Sequence, residues 1–199
     1  MILIRLSVTS PFVRKVRIAV DHLGLANRIR FVPQEEDAHD VMRAKNPLNK
    51  VPTAILEDGS IVFDSPVLLE MVDIMAGGGR IIPSDFDPRM KALTLQALAD
   101  GILEAAVLIG YESRYREPHQ ASQRWLDHQR KKVDQGIAFA QTLLDDAPLH
   151  VGHIALACAL GFVDVRLTRD WRAANPKLVT WLDDFARRVP SYEATRPEK

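Results

Sequence analysis

The spacing of apolar residues changes character near residue 80. Before that point, short apolar runs alternate with amphipathic stretches. After it, only helical spacing remains. Ile2 to Leu6 reads as a strand, with Arg5 between apolar neighbours. Ser10-Pro11 is an N-cap followed by a first-turn proline. Behind it, Phe12, Val13, Val16, Ala19, Val20 and Leu23 share one helical face, and Arg14, Lys15, Arg17 and Asp21 share the other. Gly24 stops this helix, and Ile29 to Val32 is a second strand. Two strands so closely spaced across a helix make a βαβ unit with a parallel pair. A short helix is expected over Ala38 to Asn46, ending before Pro47.

The chain is organised around Lys50 to Pro66. Val51-Pro52 opens a strand over Thr53 to Leu56, Asp58-Gly59 is a two-residue hairpin signal, and Ser60 to Phe63 returns. Ser65-Pro66 repeats the cap-plus-proline signature, with Ser65 as the expected N-cap. A helix then runs through Leu68, Leu69, Val72 and Ile74 until Gly77-Gly78-Gly79 breaks it. A cis Val51-Pro52 bond would turn the Val51 backbone toward an added peptide strand. The helix start at Ser65 suits a carboxylate, and Asp64 beside it suits an amine. An ordinary hairpin and an ordinary capped helix explain the same residues structurally.

The first half thus reads β-α-β-α-β-β-α. Ile81 to Pro88 is a linker. Long helices follow over Arg89 to about Arg116, Gln120 to Leu144, Val151 to Leu167 and Leu178 to Arg188, and Pro190 to Lys199 is a tail. Val151 to Leu167 is apolar on every face, the pattern of a central, buried helix. The expected division is an α/β domain over 1–79, a linker over 80–88 and an all-α domain over 89–199.

Composition narrows the class. With 26 acidic and 26 basic residues the formal charge is zero, which argues against electrostatic nucleic-acid binding. A single cysteine, Cys158, excludes an internal disulfide and a CxxC pair. There is no signal-peptide pattern and no apolar run approaching ~20 residues, so a soluble cytoplasmic protein, not a membrane protein, is expected.

The order of these motifs resembles a bacterial cytosolic glutathione S-transferase over nearly the whole length. The resemblance rests on Ser10-Pro11-Phe12-Val13-Arg14-Lys15-Val16-Arg17, Asn46-Pro47-Leu48-Asn49-Lys50-Val51-Pro52 and Asp64-Ser65. In the helical half it rests on Ala99-Asp100-Gly101, on Ile154 to Phe162 and on Pro190-Ser191-Tyr192. It implies a thioredoxin-like N-terminal domain that binds glutathione and an all-α C-terminal domain that builds the second-substrate pocket. It implies a cis-proline at Pro52, with Val51 pairing to the cysteinyl backbone of glutathione. Asp64 and Ser65 would hold the γ-glutamyl end, Lys50 would lie toward the glycine carboxylate, and Thr9 and Phe12 would complete the site. It also implies a homodimer, with Asp100 on the helix that faces the partner, and a role in detoxification.

A free thiol ionises near pKa ~8.5, and lowering that by about two units needs only ~2.7 kcal/mol. One hydroxyl donor plus a helix N-terminus is of that order. Ser10 supplies both, with Thr9 as the competing donor; a purely capping Ser10 is the structural alternative. A serine here favours thiolate addition or displacement over disulfide exchange, and Cys158 lies on the apolar helix as a small buried hydrophobe.

The sequence departs from the family where a Ser or Thr and then an Asp normally cap the core helix. His150 and His153 stand there, so a weaker helix start is expected. Two histidines, even beside Asp145 or Asp146, fall short of a zinc ligand set, and no metal is expected. Asn49 replaces a frequent glycine, and Asn tolerates the left-handed backbone. Tyr111, Tyr115 and Trp171 are candidates for the electrophile pocket. The expected function is transfer of glutathione to a small hydrophobic electrophile. The alternatives are a weakly catalytic or non-catalytic binding protein of the same fold, and a glutathione-dependent peroxidase or dehalogenase.

Overall fold

The computed structural model describes residues 1–33, 44–167 and 170–197. The chain forms two compact units, one of Met1–Phe86 with the C-terminal segment from Val189, the other of Asp87–Arg188.

In the first unit, β1 (Ile2–Leu6), α1 (Pro11–His22), β2 (Ile29–Pro33), β3 (Thr53–Ile55), β4 (Ile61–Val62) and α2 (Ser65–Met75) follow in order. The sheet order is β2-β1-β3-β4. β1 and β2 are parallel, as the βαβ spacing predicts, and β3 runs antiparallel to both β1 and β4. Of the short helix expected over Ala38 to Asn46, residues 38–43 lie outside the described residues, and Ala44 and Lys45 are helical. Val13, Val16, Ala19 and Val20 of α1 join Leu68, Leu69 and Val72 of α2 and Ile4 and Ala54 of the sheet in one core. The other face of α1 departs from its amphipathic reading, because Arg14 and Lys15 are buried too. The C-terminal segment covers Arg14: α7 (Ser191–Ala194) packs on α1, so residues expected in the helical domain complete the first one.

The hairpin forms, but its loop has three residues where a two-residue turn is expected. Leu56 N–H donates to the Ser60 carbonyl (2.9 Å), and Gly59 N–H donates to the Leu56 carbonyl (3.0 Å). Only Gly59 takes positive φ (83°), whereas a two-residue type I′ turn needs it at both central positions. The Asp58 carboxylate accepts from Ser60 N–H (2.9 Å) and Oγ–H (2.6 Å), fixing the bend.

The end of α2 has an organiser that the periodicity does not signal. Gly77, Gly78 and Gly79 all take positive φ (104°, 75° and 71°). They turn the chain so that Gly79, Arg80, Ile81 and Ile82 N–H all donate to the Asp73 carboxylate, at 2.8, 2.9, 2.7 and 3.4 Å.

The second unit holds α3 (Phe86–Tyr115), α4 (Gln123–Ala140), α5 (Val151–Arg166) and α6 (Pro176–Arg188). α3 starts three residues before the expected Arg89 and keeps Pro88 in its first turn, where no intrahelical N–H bond is lost. By length and composition α3 could cross a membrane, a property shared with core helices. Here it lends Ala92, Leu95, Ala99, Ile102, Leu103 and Ala106 to the helical core. α4 is shorter than the expected Gln120 to Leu144, since Pro118–Gln120 forms a separate turn and Ser122 Oγ caps α4 by accepting Trp125 N–H (3.3 Å).

Every residue of α5 from Val151 to Val163 is buried. His150 caps it: Nδ1 accepts the His153 N–H at 3.4 Å, so a ring nitrogen takes the place of a hydroxyl. Gly152, a costly residue for a helix in isolation, is required by packing. A Cβ there would stand 2.6 Å from the Ala92 carbonyl oxygen and 2.8 Å from Leu95 Cβ. Gly152→Ala is therefore expected to lower stability by about 2 kcal/mol despite its better helix propensity, a shift readable in the urea midpoint.

Candidate functional site

Three chain segments begin at one end of the first unit's sheet. Arg5 pairs with Thr53, so the exit of β1 toward Ser10 lies beside the entrance of β3 at Val51-Pro52. Ala54 pairs with Val62, so β4 leaves for Asp64 and Ser65 at the same end. Parallel β1–β2 and antiparallel β1–β3–β4 pairing thus gather two helix starts and one strand entrance.

Ser10 has extended backbone (φ −78°, ψ 120°), and its Oγ accepts the Val13 N–H at 3.3 Å. The hydroxyl proton is not used in that bond and stays available for donation. Thr9 is exposed, with Oγ1 3.2 Å from Ser7 Oγ in a bond that either hydroxyl can donate. Of the two candidate donors, Ser10 is the one at the end of the helix. Phe12 is half-buried, with Lys15 Nζ 5.3 Å over its ring.

The strand entrance is built by a residue given no role in the sequence reading. Asn46 is buried; its amide donates to the Lys50 carbonyl (3.1 Å) and to Thr53 Oγ1 (2.9 Å), and its Oδ1 accepts Leu48 N–H (3.0 Å). Thr53 Oγ1 in turn donates to the Lys50 carbonyl (2.8 Å). An Asn before proline, bonding two residues on, is an Asx-turn signal that the sequence does carry. Asn49 takes positive φ (50°), as its tolerance of that region predicts. The Val51–Pro52 peptide is cis, as the resemblance implies, and so is Phe63–Asp64. The β3 ladder begins at Thr53, with Val51 just outside it and the Lys50 side chain exposed.

At α2, Asp64 is the N-cap where Ser65 is expected. Ser65 is the first helical residue and only 2% exposed. The Asp64 carboxylate is exposed and makes no capping hydrogen bond, so an acceptor and a helix N-terminus stand side by side.

In the second unit, Tyr111 and Tyr115 meet edge to face (5.2 Å, 85°) and both are exposed. Trp171 differs: it is 5% exposed, and its indole N–H donates to Asp164 Oδ1 at 2.7 Å. Its carbonyl accepts from Asn175 Nδ2 (2.6 Å), and the Arg172 guanidinium lies 4.7 Å over its ring. Trp171 therefore packs the connection into α6, whereas the two tyrosines offer an open aromatic face.

Asp145, His150 and His153 bring three potential ligand atoms within 4.8 Å of one another. The imidazoles are stacked, with centroids 3.6 Å apart and planes 19° from parallel. Three such groups are one short of the four ligands of a closed structural zinc site. The cap bond to Nδ1 also puts the His150 proton on Nε2, toward Asp145 Oδ1 at 3.7 Å. Asp145 Oδ1 is 3.3 Å from His153 Nε2. Burial pushes the His150 pKa down against the pull of Asp145. For His153, burial, then His150 and Arg188, outweigh Asp145 and lower the value to about 4. Both values lie below the ordinary 6.5, which favours neutral rings at pH 7, and His150 is the helix cap.

A four-stranded mixed sheet with its helices, joined to an all-helical unit, defines a thioredoxin-like domain plus an all-α domain. The family model for the glutathione S-transferase N-terminal domain matches residues 9–74. The GST-like protein YibF of Escherichia coli (strain K12) is 32% identical over 97% of this chain and 97% of its own. The chain belongs to the glutathione S-transferase family. The crystal structure of a glutathione transferase family member from Pseudomonas fluorescens Pf-5 with bound glutathione is 34% identical, with a TM-score of 0.92 and 100% coverage of both chains. A glutathione S-transferase from Methylobacterium radiotolerans in complex with glutathione sulfonate is 31% identical, with a TM-score of 0.89, covering 100% of this chain and 95% of that one.

Proposed function

We propose that this protein is a glutathione transferase that activates the glutathione thiol at Ser10. The observation that carries the reading is the gathering of Ser10, Val51-Pro52 and Asp64-Ser65 at one end of the sheet. Similar structures with glutathione or glutathione sulfonate bound support it. In this reading the cysteinyl backbone of glutathione adds as a short strand at Val51. Its γ-glutamyl carboxylate meets the start of α2 at Ser65, and its amine meets Asp64. Lys50 lies toward the glycine carboxylate, and Thr9 and Phe12 flank the bound peptide. Ser10 Oγ–H donates to the sulfur while Oγ keeps its bond from Val13 N–H, so capping and thiolate stabilisation coexist. The thiolate then forms a carbon–sulfur bond to an electrophilic carbon, either expelling a leaving group with its bonding pair or opening a π bond whose electron pair takes a proton from water. Tyr111 and Tyr115 of the second unit are the candidate aromatic contacts of that electrophile. A homodimer, with Asp100 on the helix that faces the partner, belongs to the same reading. A cytoplasmic detoxification role completes the reading.

Calorimetric titration with glutathione tests it. Wild type is expected to bind in the micromolar to millimolar range, and Ser65→Ala to weaken binding at least about tenfold, or ~1.4 kcal/mol. Ser10→Ala is expected to keep binding and lose most of the ultraviolet thiolate absorbance. Absence of binding by wild type would overturn the reading and leave a fold used for recognition alone.

A further inference from the structure

Helix starts ordinarily favour acidic side chains, which offset the positive end of the backbone dipole. α1 has no acid in its first turn and carries Arg14 there instead. The Arg14 backbone N–H donates to the Ser10 carbonyl at 3.1 Å, which places it one turn from the proposed thiolate donor. Its side chain is 4% exposed. The guanidinium donates through Nη2 to the Tyr192 carbonyl and through Nε to Thr195 Oγ1 (3.3 Å), and lies 4.1 Å from the Tyr192 ring centroid. All three partners are neutral, and among the described residues no carboxylate pairs with it.

A dehydrated charge without a counter-charge is costly, and its field is poorly screened. Arg17, on the next turn, is held below the usual arginine range by burial first and by Arg14 second, so the Arg14 charge is felt along the helix. For stability alone, this cation stands at the wrong end of α1. For an anion at the start of α1 it stands at the right one, adding its potential to that of the helix dipole.

We propose that Arg14 is a positioning residue, clamped by Tyr192 and Thr195 of the C-terminal segment, whose buried charge helps hold glutathione sulfur as the thiolate. This rests on the glutathione reading above. The thiol proton passes to water, no bond to carbon changes at this step, and Ser10 remains the group that touches sulfur.

The test is the pKa of the thiol in bound glutathione, followed by thiolate absorbance against pH in wild type, Arg14→Lys and Arg14→Gln. Both variants keep a donor for the Tyr192 carbonyl, but only lysine keeps the charge. The expected result is a pKa raised by about one unit in Arg14→Gln and by far less in Arg14→Lys, with glutathione affinity changed less than about threefold in either. Arg17→Gln spares the clamp and is expected to shift the value the same way by about half as much, which covers a failure of Arg14→Gln to fold. Equal losses of melting temperature in both Arg14 variants, with thiol pKa unmoved there and in Arg17→Gln, would make Arg14 a structural clamp only and overturn the proposal. Wild type that binds glutathione without lowering its thiol pKa overturns it too. Wild type that binds no glutathione overturns both this proposal and the function it rests on.

Discussion

Asp73→Ala is expected to destabilise the protein by about 4 kcal/mol, read as a fall in the denaturant midpoint at unchanged slope. The carboxylate accepts three close backbone bonds (2.7 to 2.9 Å) and a longer one at 3.4 Å. Asp73 is 4% exposed, and Ile81 and Ile82 beside it are buried. Hydrogen bonds to an ionised acceptor contribute about 1.5–3 kcal/mol each, and water re-entering the cavity recovers part of their sum. The turn itself depends on these bonds, because three successive positive-φ glycines have no conformational preference that would hold it. Asp73→Asn keeps the volume and one acceptor oxygen but turns an NH2 group toward backbone donors, so a loss of about 2 kcal/mol is expected. A loss below about 1 kcal/mol in the alanine variant would mean that the turn stands without its carboxylate.

Acidification from pH 7 toward 4 is expected to remove about 3 kcal/mol of stability through the start of α5. The folded His153 pKa is about 4 against an ordinary 6.5. Above pH 6.5 neither state binds the proton, and the full stability is present. Between 6.5 and 4 the unfolded chain takes up a proton that the folded chain refuses, so stability falls with pH; below 4 this group adds no further loss. His150 acts in the same direction, since its pKa is also lowered. Its protonation would place hydrogen on Nδ1, the atom that accepts the His153 N–H. Burial sets the balance first; Asp145 before the helix favours both charged rings, while the neighbouring His150 and Arg188 at the end of α6 oppose the charge on His153. The Trp181 ring stands 5.8 Å from that of His153. Urea midpoints at pH 7.5 and 4.5 measure the effect. His153→Gln, which cannot titrate, is expected to lose less than half as much over that interval, and an equal loss would assign the acid sensitivity elsewhere.

Where local chemistry decides a conformation, the sequence was readable. Ser10-Pro11 announces the cap that forms, Asp58-Gly59 announces a hairpin, and Asn49 stands in the left-handed backbone it tolerates. The candidate site was readable as a set of such local signals, and the sheet register then gathers them. Contacts between distant segments were not. An amphipathic reading assumes one buried face, so it left Arg14 and Lys15 in solvent, although α1 is covered on both sides. Asp73 is one acid in an apolar helix until the glycines fold the next four N–H groups back onto it. His150 looked like a poor cap because cap preferences summarise side-chain oxygens, whereas a buried neutral imidazole offers a nitrogen acceptor.

The union of the first unit with the C-terminal segment has a consequence for the order in which the chain is made. Arg14 leaves the ribosome 178 residues ahead of Tyr192, whose carbonyl it binds. At ordinary synthesis rates that interval is about ten to thirty-five seconds. Throughout it, a guanidinium destined for the interior has neither of its acceptors, and the helix carrying Ser10 lacks its outer cover. The first domain to be synthesised is therefore the last to be finished, after the whole helical unit has emerged. A chain interrupted anywhere between Val62 and Val189 carries every residue of the sheet and still lacks the cover of α1.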